Sequence, residues 1–322
     1  MPLRRLFCLT AAFTIFLHAP CQAQDFPTRP ITILVGLAAG GVSDVMARLY
    51  AETVSKKIGQ NIIVENRPAA SGAIAAAALQ NAQPDGYTLL LFSGSQHATV
   101  PAVTASGTYD PVKGAQPISV LFNFAAIVAV PVDSPVNSVA ELVTFGKAKA
   151  GGLNFGSPGV GTPSHLSGAK LIASTKMPAQ FVHYKGGAPM MTDVLGGRLD
   201  VAWPSAPLAK TFLLDKKLKA IAVDGQQRWG IIPDVPTLQE AGFGEASVAN
   251  WFGIAAAPGT PPDIIKKLNA AFAEAARDPD LKRKVEDLGL TVATSTPEEL
   301  GRLMAREAAD IRDLVQTLGL KQ

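Results

Sequence analysis

Residues 31–37 form an almost unbroken apolar run, broken by Ala38-Ala39-Gly40-Gly41. The pair Ser43-Asp44 then opens a segment in which Val45, Leu49 and Val54 recur at helical spacing. This pattern predicts a buried strand, a glycine turn and the start of a helix. Residues 61–64 read as a second strand, and Ser71 is placed to cap an alanine-rich helix over 72–81. After Pro84-Asp85-Gly86, residues 87–92 read as a third strand that opens into the polar loop Ser93-Gly94-Ser95-Gln96-His97. Strand and helix in alternation predict a parallel sheet with helices on both faces. Such sheets bind ligands outside the carboxyl ends of their strands. The loops at 38–44 and 93–97 are therefore expected to face one crevice.

The second half repeats the theme. Residues 101–117 lack a period and read as a connection, and two β-rich runs follow over 118–131. Ser138 caps a predicted helix over 139–150, and residues 153–155 lead into Gly156-Ser157-Pro158-Gly159-Val160-Gly161-Thr162-Pro163-Ser164-His165. That is again a strand, a glycine turn and a helix start, with Thr162 or Ser164 as its cap. A third glycine turn, Lys185-Gly186-Gly187-Ala188-Pro189, follows a strand at 180–184. Further strands are expected at 199–203, 218–223 and within 248–257, then helices at 263–276, 279–288 and 297–318. Two glycine turns at equivalent points of two halves predict two α/β lobes that face each other.

Helix N-termini carry unpaired N–H groups and positive potential, and glycines let a ligand approach them. Such a turn seats an anion. Neither P-loop nor G-x-G-x-x-G spacing is met, because Gly156, Gly159 and Gly161 give G-x-x-G-x-G, and no lysine follows to meet a nucleotide phosphate. Ser43, Ser93, Ser95, Ser157, Thr162 and Ser164 offer neutral donors instead. Neutral donors hold a carboxylate in a closed cleft without burying a counter-charge. Catalysis has little support. Ser157 does not sit in G-x-S-x-G, and Pro158 removes an oxyanion-hole donor. His97, His165 and His183 show no metal-ligand spacing and read as structural or pocket-lining. Asp44 reads as a carboxylate stabilised at a helix start. Trp203, at a strand end, is placed either to line a pocket or to fill a core.

The 322 residues, 48% hydrophobic and 17% charged, suit two domains. Arg4 and Arg5, the apolar stretch 6–17 and Cys21-Gln22-Ala23 read as a signal peptide over 1–23, cleaved after Ala23 for export. Pro20 directly before Cys21 argues against a lipoprotein anchor there. Both cysteines, Cys8 and Cys21, fall in this leader, so the mature chain has no disulfide or thiolate metal site. Removing Arg4 and Arg5 from 29 basic residues leaves near balance with 26 acidic ones, and no electrostatic case for nucleic acid.

The chain resembles the Bug family, the substrate-binding receptors of tripartite tricarboxylate transporters. The resemblance rests on Ala39-Gly40-Gly41-Val42-Ser43-Asp44 with Ala47-Arg48, Val64-Glu65-Asn66-Arg67-Pro68 and Pro84-Asp85-Gly86-Tyr87. It extends through the 156–165 motif, Tyr184-Lys185-Gly186-Gly187, Pro233-Asp234-Val235-Pro236-Thr237 and Trp251-Phe252-Gly253. It implies a two-lobed periplasmic-binding-protein fold, type II-like, each lobe a central sheet flanked by helices. It further implies one lobe from residues 24–122 with 246–322 and a second from 123–245. Ligand contacts are expected from Ala39, Gly40, Gly41, Ser43 and Asp44, with Ser93 and Ser95, in the first lobe. The second lobe is expected to add Ser157, Gly161, Thr162, His165, Lys185, Gly186, Trp203 and Ser205.

The expected function is a non-enzymatic periplasmic receptor, without cofactor or metal and monomeric. It closes about a hinge on a small organic carboxylate and passes it to the membrane components of a tripartite transporter. A periplasmic hydrolase using Ser157 and His165, or a ligand sensor for a membrane signalling partner, are the rival readings. Gly36-Leu37 stands where relatives carry a proline and an aromatic residue, which is expected to leave a roomier wall. Ala202-Trp203-Pro204-Ser205 lacks the relatives' aspartate, an ammonium partner, which disfavours an amino-acid ligand.

Overall fold

The computed structural model describes residues 26–37, 39–103, 109–159, 161–184, 186–225, 227–248 and 250–317, without the side chains of Ser71, Ser95, Gln96 and Val103. The expected leader, Cys21 and Lys185 lie outside these residues.

The chain opens with strand β1 (Ile31–Val35), helix α1 (Val42–Ile58), β2 (Ile62–Asn66), α2 (Ala73–Gln80), β3 (Thr88–Ser93) and α3 (Gly94–Val103). The long strand β4 (Gln116–Phe124) is separated from β5 (Ala126–Pro131) by Ala125 alone. There follow α4 (Val139–Ala148), β6 (Leu153–Ser157), α5 (Pro163–Thr175), β7 (Ala179–His183), α6 (Gly187–Leu195), β8 (Val201–Ala202), α7 (Ala206–Leu214) and β9 (Leu218–Asp224). The chain ends in β10 (Trp251–Ala256), α8 (Pro262–Ala275), α9 (Pro279–Asp287), β11 (Leu290–Val292) and α10 (Pro297–Thr317).

Two mixed sheets result, one in each lobe. The first has the order β11-β4-β10-β3-β1-β2 and the second β7-β6-β8-β5-β9. The parallel sheet expected from the first hundred residues is found only in β1, β2 and β3. Strand β10 joins β3 antiparallel, because it enters the sheet on its return from the other lobe. Alternate residues of β1 serve both faces of the sheet, as strand geometry requires. Ile31, Ile33 and Val35 pack with α1, α8 and α9, whereas Leu34 faces α2 and α10.

Local signals explain most helix starts. The Ser138 hydroxyl caps α4 by accepting the Glu141 N–H, and Glu141 Oε2 reaches back to accept the Asn137 N–H, one residue before the cap. At α2 the cap is Gly72, with φ 90°, and Ser71 lies in a short 3-10 turn over Ala70–Gly72. The loop expected at 93–97 is instead the last residue of β3 and the first turn of α3. Ala98 packs on Leu166, Ala308 and Ile311, so this helix is covered on several sides and shows no amphipathic period to read.

Candidate ligand site

The β1–α1 turn is strapped by one polar chain. Asn66 Nδ2 donates to the Leu37 carbonyl at 3.1 Å, and Arg48 Nη2 donates to Asn66 Oδ1 at 3.2 Å. The guanidinium also pairs with both Asp44 oxygens, at 2.9 and 3.2 Å, and Asp44 Oδ2 accepts the Gly40 N–H at 2.9 Å. The Arg48 hydrogen bond, opposed by burial, holds the Asp44 carboxyl below its ordinary range. Asp44 is therefore a carboxylate that fixes the loop. Its contribution to stability is present above the usual carboxylate range and is lost as pH falls through its lowered pKa. Asp44→Ala, which frees Gly40 and Arg48, is expected to cost about 1–3 kcal/mol in a urea denaturation at pH 7. An unchanged midpoint would contradict the strap. Gly36 has its own reason: a Cβ there would stand 2.6 Å from Gly72 Cα, so the two backbones meet.

The N-terminus of α1 is left open. Its cap, Gly41, offers no side chain, and the first turn begins with the Val45 N–H donating to the Gly41 carbonyl. Among the described residues nothing accepts the N–H groups of Val42, Ser43 or Asp44. Ser43, 3% exposed, also has a hydroxyl without a partner. Ala39, Gly40 and Gly41 are exposed around it.

The second glycine turn is mostly satisfied within itself. Ser157 Oγ donates to the Gly159 carbonyl and accepts the Gly159 N–H, at 2.8 and 3.1 Å. Thr162 is the cap of α5, donating to the same carbonyl at 2.8 Å and accepting the His165 N–H at 3.4 Å. The Gly186 N–H donates to the Pro158 carbonyl at 3.0 Å, tying the third glycine turn to the second. The Gly161 N–H donates to His165 Nδ1 at 3.0 Å. Burial and the neighbouring His183 lower the His165 pKa to about 4, so the ring is neutral at pH 7. With Nδ1 accepting, the proton sits on Nε2. That N–H is buried and has no partner among the described residues.

Registry pairs His183, read from the sequence as structural or pocket-lining, with a partner that no motif indicates. Strands β6 and β7 pair Ser157 with His183, and His183 Nδ1 stands 3.3 Å from Ser157 Oγ. The His165 and His183 rings meet edge to face at 4.7 Å. Across the cleft, a Cβ on Gly161, at φ 75°, would overlap Thr99 Cγ2 of α3. The second glycine turn of one lobe thus lies directly against α3 of the other. Within the first lobe a recess of about 30 Å³ is lined by Ser43, Ser93 and His97, with Gly36 and Leu37.

One candidate lies elsewhere. Trp203 is fully buried in the core of its lobe, stacked on Phe155, with its indole N–H donating to Asp224 at 3.1 Å. It fills the core and is not a wall of the cleft. Ser205 is the residue before α7, makes no side-chain cap, and pairs through its backbone with Ala126. Of Ser95 only the backbone is described, in α3.

Ser157 and His165 are not hydrogen-bonded to each other. The single Ser157 hydroxyl proton goes to a carbonyl, and His165 Nδ1 is taken by a backbone N–H. No group of three or more metal-ligating side chains occurs among the described residues. No described helix is long and apolar enough to cross a membrane.

A family model for the tripartite tricarboxylate transporter family receptor matches residues 46–320. The chain belongs to this family. BugT of Bordetella pertussis is 30% identical over 324 residues, covering 100% of this chain and 99% of that protein. An R. palustris protein solved with adipate superposes with a TM-score of 0.81 at 31% identity, over 92% of this chain and 99% of that one. MatC from Rhodopseudomonas palustris, solved with malate, gives 0.77 at 30% identity, over 90% and 100%. The receptor family and its two-lobed fold, expected from the motifs, are those found. Family members and solved relatives are binding proteins.

Proposed function

We propose that this protein is an extracytoplasmic receptor that captures a small organic carboxylate between its lobes. The observation that carries this reading is the pair of unfilled donor sets on opposing lobes. Lobe one offers the N–H groups at the start of α1 and the Ser43 hydroxyl, and lobe two offers His165 Nε2–H. All are uncharged donors, and a carboxylate supplies the acceptors they lack. The relatives solved with adipate and malate support the same ligand class. Capture proceeds by closure about the single-residue crossing at Ala125 and the return near 245–250, between segments 24–122 with 246–322 and 123–245. After export and removal of residues 1–23, the loaded monomer delivers its ligand to the membrane components of a tripartite transporter.

The test is a thermal-shift and calorimetric screen of mono- and dicarboxylates on wild type and His165→Phe. Loss of one charge-assisted hydrogen bond, about 1.5–3 kcal/mol, is expected to weaken binding roughly 10–100-fold. Equal affinity in the two proteins would remove His165 from the site.

A further inference from the structure

The cleft that seats the carboxylate has a counterpart on the other side of the hinge. In the first sheet the seat follows β1 and β3, and in the second it follows β6. The crossing from β4 to β5 and the return from β9 to β10 lie beyond it in both sheets. Past those crossings, where β4 ends and β11 begins opposite the residues after β9, is a cavity of about 600 Å³. Both crossings and both lobes line it, including Asn123, Phe124, Trp229, Gln239 and Asn250. The size is in the range of small-molecule sites.

Its chemistry differs from that of the seat. Two aromatic residues and several side-chain amides surround it. The cation present, Arg228, is neutralised by Glu240, whose two oxygens accept its Nε at 2.8 and 3.1 Å. Asn250 is 7% exposed and its Nδ2 donates to the Val248 carbonyl at 3.1 Å, which leaves Oδ1 as an acceptor with no donor among the described residues. A buried amide oxygen in this state lacks a donor that an occupant can supply.

We propose that this cavity is a second ligand site, for a small uncharged planar molecule bearing N–H or O–H donors, and that its occupant favours closure on the carboxylate. The coupling follows from the lever. With the hinge crossings between them, the seat side narrows as the rear cavity widens, and the reverse. In this structure the lobes touch on the seat side, with Gly161 against Thr99, while the rear cavity is open. A molecule that fits the widened cavity binds the closed form better and shifts the population toward it.

Gly230 gives a direct test. A Cβ there meets nothing within 4 Å, so Gly230→Trp fills the cavity from its lobe-two wall. Thr291→Trp fills it from the lobe-one wall, on exposed β11, should the first variant fold poorly. Small-angle scattering of the ligand-free proteins is expected to show a smaller radius of gyration in whichever variant keeps the wild-type melting temperature. Benzamide serves as the probe: its saturation-transfer NMR signals with wild type are expected to vanish with either filled variant. An unchanged or larger radius overturns the coupling. Benzamide signals that are absent from wild type, or that survive in the variants, overturn the site.

Discussion

Gly161→Val is expected to weaken carboxylate binding about 100-fold or more, as measured by calorimetric titration. Two effects add at this position. At φ 75° a β-branched residue is strained by about 1–3 kcal/mol, which lowers stability whether the lobes are open or closed. The side chain also meets Thr99 of the opposite lobe, a contact that exists only when the lobes are together. The two separate by experiment. Thr99→Ala added to Gly161→Val is expected to recover part of the affinity while the melting temperature stays low. If affinity fell without any rescue, the loop strain alone would be responsible and the contact would not report closure.

The second large effect is a dependence on pH that originates in α10. Glu307, on the buried side of α10, is 8% exposed, and neither carboxyl oxygen has a partner among the described residues. Burial pushes its pKa up to about 8. The Trp251 indole beside it opposes the shift without reaching hydrogen-bond geometry, Asp310 adds to the shift, and Arg306 opposes it. The folded state therefore holds a proton that the unfolded state releases near the ordinary carboxylate range. Stability from this group is complete below about pH 4.5 and is lost as pH rises through about 8. Asp224 adds the same trend lower down, since burial raises it to about 6 against donation from Ser247, Ser167 and Trp203. Unfolding free energy is expected to fall by a few kcal/mol between pH 5 and pH 8, at ~1.4 kcal/mol per shifted unit. Glu307→Gln, a neutral replacement of similar shape, is expected to remove most of the slope above pH 6 in urea titrations. A variant with the wild-type slope would show that Glu307 is ionised in the fold.

Most of the elements were legible because their signals are local. The 31–37 run, the glycine turn and the Val45, Leu49 and Val54 period give β1 and α1 nearly to the residue. Ser138 and Thr162 announce their helices through hydroxyls that do cap. Helix α3 was not legible, since a helix surrounded by protein has no polar face to mark its period. The antiparallel entry of β10 was equally hidden, as it depends on the chain's return from another lobe. At the site, the glycine turns and His165 stand out in sequence, but the difference between them does not. Only the structure shows that the turn at Gly41 is open and that the turn at Gly161 is internally bonded. The Ser157–His183 pairing arises from strand register across 26 residues, which no motif encodes. Trp203 could have been wall or core, and its bond to the buried Asp224 is what places it in the core.

The central claim is that an unmodified carboxylate is bound between the lobes by neutral donors. The most direct measurement is a calorimetric titration with adipate, malate and other C4–C6 carboxylates, followed by NMR of the ligand recovered from the complex. The account predicts saturable binding of at least one carboxylate at one site per chain, with the ligand recovered unchanged. Heat from none of them, or a recovered ligand that has been chemically altered in a Ser157-dependent way, would contradict it.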